Sequence, residues 1–432
     1  MAQALTGGKK ESSAREAALR ALKTVRGGGD YRAVFAEVPD ARERAFARTL
    51  AEGVIRNMRY IDYVISLSAR GGRSPLVADI LRIGVFQLQA MDSVPDYAAI
   101  NESVAFAAKK APMAKGLVNA VLRKVSQDKF PAVAAENETA RLAIQYSHPD
   151  YLVRQWIQYF GTEQTERILA ADNREAELSC YVNTVRYGFD ETLRQVKTDC
   201  AAGGEVREYP DEGRFTLSGV GALEKLESFR QGMFYVQDKS AHEAALAGAA
   251  RLSGKEAPKI LDLCASPGGK SFAAAAALGG NAEITAFDLP GKVARLREGI
   301  SRLGLSCVTA GENDARVYRE ELAGQFDLVI ADVPCSGFGV IRKKPDIRFK
   351  TAEELSGLPE LQRAILSNAG KYARAGGAVV YSTCTLWREE NEDIAAAFLA
   401  ENPAFRMIQE KTVPTGADRD GFYYAHFLRE EA

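Results

Sequence analysis

Apolar side chains recur at three-to-four-residue spacing through the first 130 positions. The segments 13–25, 42–66, 75–91, 97–111 and 115–126 each carry such a stripe, the period of a helix with one buried face. Ile100, Val104 and Ala107 share a face of the fourth, and Leu117, Val121 and Val125 form the stripe of the fifth. Gly27 to Gly29, Gly71 with Gly72, and Pro95 separate the segments. The pattern predicts a helical bundle over residues 1–130. It lapses between Pro131 and Pro149, which predicts a connector. Residues 151–235 change character: a helix at 151–161, a strand within 177–185, a helix ending at Gly203 and Gly204, and short strands at 205–210 and 214–219. This is a small α+β unit, expected over 131–235. From about residue 259, strand-like runs at 259–264, 283–288, 326–332 and 377–383 alternate with helical stretches at 269–278, 291–303 and 353–374. That alternation predicts, for residues 236–432, a parallel sheet covered on both faces. Ligands of such sheets bind at the carboxyl ends of the strands.

Composition narrows the class. A 46% hydrophobic fraction over 432 residues excludes wholesale disorder and suits about three domains. No run of 18 apolar residues occurs, so no membrane-spanning helix is expected. Residues 1–25 are charged throughout and do not read as a secretory signal, and the expected location is the cytoplasm. Six dispersed cysteines do not form a disulfide framework. The three histidines lack metal-ligand spacing to a cysteine pair, so no metal site is expected. The net charge of −1 conceals local imbalance: residues 1–60 hold 12 basic against 7 acidic side chains, and residues 342–350 hold five against one. Such stretches serve either as phosphate contacts for a polyanion or as solvated surface.

The run KILDLCASPGGKS (259–271) sets a glycine turn between a strand and a helix. Gly268 and Gly269 permit close approach by a ligand, and Asp262 is placed to hold the loop amides. The spacing is neither the three-glycine dinucleotide signature nor a phosphate loop, which favours a nucleoside cofactor without phosphates. Asp288, ending the next strand, suits ribose hydroxyls, and Asp314, further along the chain, suits an adenine edge. Any one such aspartate could be a helix cap. Three beside a glycine turn point to S-adenosyl-L-methionine.

Cys335 and Cys384 each follow an apolar strand and open a polar loop, whereas Cys180, Cys200 and Cys307 read as core residues and Cys264 as packing behind the cofactor turn. A thiol beside a methyl donor suits methylation of cytosine carbon-5, which attacks a sulfonium only after a thiolate has added to carbon-6. Amides at the start of a helix after Cys384 are expected to favour the thiolate. Asp332 is placed to contact the N3/N4 edge of the base.

The motifs LDLCASPGGKS (261–271), DVPCSGFGVIRKKPDIRF (332–349) and YSTCTLWREENE (381–392), with FRQGMFYVQDKSA (229–241), resemble the Sun-type family of RNA cytosine-carbon-5 methyltransferases. Residues 50–65, 81–111 and 115–125 are similar to the RNA-binding NusB fold, so the resemblance covers nearly the whole chain. It implies three domains: an all-α NusB-like bundle, a small α+β linker domain and a Rossmann-like α/β class I methyltransferase domain. It also implies methylation of 16S ribosomal RNA, either naked or in an early assembly. In this family the Thr-Cys cysteine is the nucleophile, which falls on Cys384. The Pro-Cys cysteine assists product release, which falls on Cys335. Cofactor positions fall on Cys264, Ala265, Ser266, Pro267, Gly268, Gly269, Lys270, Asp288, Asp314 and Asp332. Phe338, and Trp387 with Arg388, depart from the family pattern. Transfer RNA or DNA as substrate, and a non-catalytic assembly factor, are the competing readings. Two matched cysteine motifs argue against the last two.

Overall fold

The computed structural model describes residues 14–69, 71–91, 94–201 and 203–431, without the side chain of Ala352. The charged start of the chain, residues 1–13, lies outside them. The contacts divide the chain into two units. One runs through Asn173 and takes in Lys344–Phe349; the other comprises Arg174–Lys343 and Lys350–Ala432.

In the first unit the helices Ala14–Arg26, Ala41–Ser68, Pro75–Ala90, Asp96–Lys110 and Lys115–Val125 correspond to the five apolar stripes. Leu22, Leu50, Val54, Leu81 and Leu122 are fully buried in one shared core. Gly53 lets two helices close, since a Cβ there would sit 2.0 Å from the Phe86 ring. In the fifth helix the buried stripe runs through Val118, Val121, Leu122 and Val125, and Leu117 faces outward. The predicted connector contains a helix, Glu138–Gln145, begun by Asn137, whose side chain accepts from the Ala140 amide at 2.9 Å. It buries only Leu142 and Ala143, too few to mark a stripe. The next helix continues to Asp172, past Gly161, whose φ of 76° breaks the helical geometry; the sequence reading stopped at that glycine.

The second unit holds two sheets. Strands β1 (Leu178–Val182), β2 (Glu205–Tyr209), β3 (Arg214–Ser218) and β4 (Phe234–Val236) pair antiparallel in the order β2-β3-β1-β4. Helix Phe189–Asp199 packs Leu193 and Val196 into the same core as Cys180, Phe215 and Phe234.

The larger sheet has β5 (Lys259–Asp262), β6 (Glu283–Asp288), β7 (Val308–Glu312), β8 (Phe326–Asp332), β9 (Ala373–Thr383), β10 (Phe405–Val413) and β11 (Phe422–Arg429), in the order β10-β11-β9-β8-β5-β6-β7. Strands β5 to β9 are parallel, as predicted for β5, β6, β8 and β9; β7 falls in a stretch given no strand range from the sequence. The sheet as a whole is mixed, because β11 runs antiparallel to both β9 and β10. Side chains alternate between its faces. Ile260, Ile284, Leu328 and Val380 pack with Ala273, Ala274 and Leu296 of the helices Gly269–Ala277 and Pro290–Leu303. Leu261, Val329, Val379 and Tyr381 pack with Ile365 and Leu366 of the helix Leu358–Tyr372 on the other. The strand order reverses between β5 and β8, which opens a crevice at their carboxyl ends.

Candidate functional site

The loop after β5 is stitched into that crevice. Leu263 N–H donates to Ile330 O at 2.9 Å, and Ala265 N–H to Phe287 O at 2.8 Å. The Ser266–Pro267 peptide is cis. Gly268 has a φ of +118°, and a Cβ there would lie 2.0 Å from the Phe272 ring, so the turn requires glycine. Asp262 is buried and accepts from Ser271 Oγ at 2.7 Å. Burial pushes its carboxyl up to about 7, against the pull of Ser271 and Lys270. Asp288 accepts from the amides of Ser266 (2.9 Å) and Leu289 (2.8 Å). Asp314 is gripped by the Arg316 guanidinium at 2.5–3.0 Å, which holds its carboxyl below the usual range. Its neighbour Asn313, which sequence reading missed, has a buried Nδ2 with no hydrogen-bond partner among the described residues.

A cavity of about 380 Å³ is lined by Cys264, Ser266, Asp288, Asn313, Asp314 and Asp332, with Leu289, Pro334, Leu361 and Ile365 as apolar walls. A smaller one of about 210 Å³ is lined by Gln237, Asp262, Ala265, Pro267, Gly269 and Lys270, and shares Cys264, Ser266 and Asp332 with the first. This set fits an adenosyl methyl donor: apolar walls for the base, the Asn313 amide for its edge, Asp288 for ribose, and the unpartnered Asp262 Oδ1 for a cationic group.

At the reacting end, Cys335 follows β8 and Cys384 follows β9, and their sulfurs are 3.1 Å apart in a hydrogen bond. Both are partly buried. The bond to Cys384, and then burial, push the Cys335 thiol well above its usual value. Either thiol can donate in this bond, and burial together with the neighbouring sulfur favours the protonated form of Cys335. Asp332 Oδ2 lies 2.6 Å from Lys270 Nζ, and Oδ1 accepts from Ser382 Oγ at 2.8 Å. Lys270 is buried and reaches to 5.1 Å from the centre of the Phe422 ring, whose cluster Cys384 also joins.

The two cysteine loops are held by residues the sequence reading passed over. Glu390, buried, accepts from Ser336 N–H at 2.9 Å and Gln362 Nε2 at 2.8 Å. Asn391 accepts from Thr383 Oγ1 at 2.6 Å and donates to Thr385 O at 3.0 Å. Nothing in the sequence around Glu390 announces partners 28 and 54 residues away. The departures Phe338 and Trp387 meet each other, with ring centres 5.5 Å apart. Cys180 and Cys200 are buried, and Cys307 is half-buried.

Two expectations are corrected. The helix after Cys384 begins only at Glu392, because a turn braced by Glu390 and Asn391 intervenes; its first amides do not directly follow the thiol. The basic run 342–350 is largely consumed inside the protein. Arg342 is buried against Asp420 and the carbonyls of Gly416 and Ala417. Lys343 binds Asp238 and Asp420, and Lys350 Nζ donates to Ser336 O at 2.7 Å. Within the first unit, Arg348 is buried on Arg56 O, Asp172 O and Asn173 Oδ1. Among the described residues there is no cluster of metal-ligating side chains and no helix long and apolar enough to cross a membrane.

A sheet of this order, with a glycine turn after its first strand and acidic residues at the ends of successive strands, defines a class I S-adenosyl-L-methionine-dependent methyltransferase. Comparisons with known proteins agree in all three regions. Residues 249–428 match the family described as 16S rRNA methyltransferase RsmB/F, residues 12–127 the NusB family, and residues 148–211 the ferredoxin-like domain of RsmF/B-like methyltransferases. The chain is 33% identical over 427 residues to the probable ribosomal RNA small subunit methyltransferase B of Bacillus subtilis (strain 168), covering 94% of this chain and 92% of that protein. It is 32% identical over 407 residues to the ribosomal RNA small subunit methyltransferase B of a Klebsiella pneumoniae strain, covering 90% of each. The fold is shared with the crystal structure of PH0851 (TM-score 0.74, 24% identity, 95% of this chain and 98% of that one). The chain belongs to the 16S rRNA methyltransferase RsmB/F family.

Proposed function

We propose that this protein methylates carbon-5 of a cytosine in 16S ribosomal RNA through a covalent bond between Cys384 and carbon-6 of the base. The observation that carries the reading is the thiol pair, 3.1 Å apart at the ends of adjacent strands, beside the carboxylate of Asp332. Bound S-adenosyl-L-methionine supplies an electrophilic methyl group. Cys384 attacks as thiolate, favoured by the S–H of Cys335. Asp332, with Lys270 and Ser382 on its outer lone pairs, accepts from the cytosine amino group and holds the ring in line. With the methyl donor held by the Gly268 turn and Asp288, carbon-5 of the resulting enamine would take the methyl group, the electrons of the broken sulfur–methyl bond staying on the donor's sulfur. A base removes the carbon-5 proton, and the Cys384–carbon-6 bond breaks to restore aromaticity. Cys335, whose sulfur lies 3.1 Å from that of Cys384, assists that release.

The target base must leave its stack to enter the site, so an unpaired loop cytosine is the expected substrate. The helical first unit supplies RNA affinity, and the place of action is the cytoplasm. Incubation of naked 16S RNA and of assembled small subunits with enzyme and S-adenosyl-L-methionine, followed by bisulfite mapping, tests this. One newly protected cytosine in naked RNA, absent in the assembled subunit, is expected. Protection of transfer RNA alone, or methyl groups on base nitrogens, would contradict it.

A further inference from the structure

We propose that a cluster of four charges, Arg342, Lys343, Asp238 and Asp420, is a positioning device for the Cys384 thiol; the inference rests on the covalent reading above. The cluster is balanced in charge, two basic against two acidic side chains, and of the four only Lys343 opens to solvent. Arg342, 3% exposed in its side chain, places Nε 2.9 Å from Asp420 Oδ1 and Nη2 3.7 Å from Asp238 Oδ2. Lys343 Nζ bridges Asp238 Oδ2 at 2.8 Å and Asp420 Oδ2 at 2.7 Å. Asp238 also caps the helix Lys239–Ala250 and accepts the Asp420 amide at 3.1 Å, while Ser240 Oγ donates to Asp420 O at 2.9 Å.

The cluster leads straight to the nucleophile. Gly421, next to Asp420, donates its N–H to Gly339 O at 2.8 Å, and Gly339 donates its own to Cys384 O at 2.9 Å. No side chain fits in this pinch. A Cβ on Gly339 would lie 1.9 Å from Gly421 O and 2.9 Å from Cys384 O, and one on Gly421 would lie 2.8 Å from Gly339 Cα. Arg342 stands three residues beyond Gly339, so each strand of the pinch is anchored by one side of the charge cluster. Buried ion pairs stabilise poorly for their desolvation cost, but their fork geometry fixes direction. Direction is what a sulfur that must meet one ring carbon requires. The basic run thus acts on the reaction through the peptide of Cys384, and none of the four residues touches the reacting atoms.

The experiment uses the full chain carrying Cys335→Ala, in which the covalent reading expects an RNA adduct to accumulate, and follows the rate and the plateau of adduct formation with 16S RNA and S-adenosyl-L-methionine. Asp420→Asn and Lys343→Met should each slow the rate by about tenfold or more, with the plateau and the cofactor affinity held within about twofold, and Lys343→Arg should restore most of the rate. If Asp420→Asn does not yield folded protein, the Lys343 pair decides. A lower plateau at unchanged rate means the cluster only stabilises the fold and overturns the proposal. Absence of any adduct in the Cys335→Ala parent overturns the covalent reading, and this inference with it.

Discussion

Asp262 shows how far a single residue's role depends on what surrounds it. Its position before the glycine turn marked it as a holder of loop amides; the structure adds that it is fully buried, bound by Ser271, and pushed up to about 7. A carboxyl raised above its unfolded value near 4 contributes stability in full at low pH and loses it as pH rises through the folded value. Wild type should therefore lose on the order of 4 kcal/mol relative to Asp262→Asn between about pH 4 and pH 8, by the linkage of pKa shift to stability. Urea unfolding of the two proteins across that range measures the difference, and parallel pH profiles would contradict it. Asp288, Cys335 and Cys384 were legible because each ends or follows an apolar strand. Ser382 and Glu390 were not, since their parts in the site come from neighbours 50 or so residues away, and Asn313 was not, since only the folded crevice shows its buried amide, unpartnered among the described residues.

At the scale of elements, hydrophobic period alone places the five bundle helices and four of the five parallel strands, because each buries a continuous face; β7, buried at Val308 and more open beyond it, gave no such run. It fails where burial is sparse, as in Glu138–Gln145, and where a glycine interrupts without ending a helix, as at Gly161. The β10–β11 hairpin escaped notice because β10 is largely exposed at the sheet edge and gives no clean alternation. The glycine turn is the element on which cofactor binding depends. Gly268→Ala adds strain at φ +118° and drives a methyl into Phe272. Affinity for S-adenosyl-L-homocysteine, measured by calorimetry, should fall by about tenfold or more, the scale of a couple of kcal/mol of strain. Gly291→Ala, where a Cβ meets nothing within 4 Å, should leave it unchanged. Equal affinities for all three proteins would remove the turn from the cofactor site.

Across the whole molecule, sequence reading recovered the succession of helical bundle, small α+β unit and methyltransferase sheet, because each has its own hydrophobic period. It misjudged the basic run 342–350, read as phosphate contacts or as solvated surface, because Arg342 and Arg348 are buried and Lys343 and Lys350 are bound within the protein. Charge count carries no information on partners, and here the acids that absorb Arg342 and Lys343 lie 77 to 105 residues away in sequence. What the assembled parts amount to chemically rests on which sulfur bonds the base. Denaturing gels of enzyme incubated with 16S RNA and S-adenosyl-L-methionine read this directly. Cys335→Ala should transfer methyl groups yet accumulate a denaturant-resistant protein–RNA band, and Cys384→Ala should show neither methyl transfer nor band. A stable band from Cys384→Ala, with none from Cys335→Ala, would make Cys335 the attacking thiol and contradict the account.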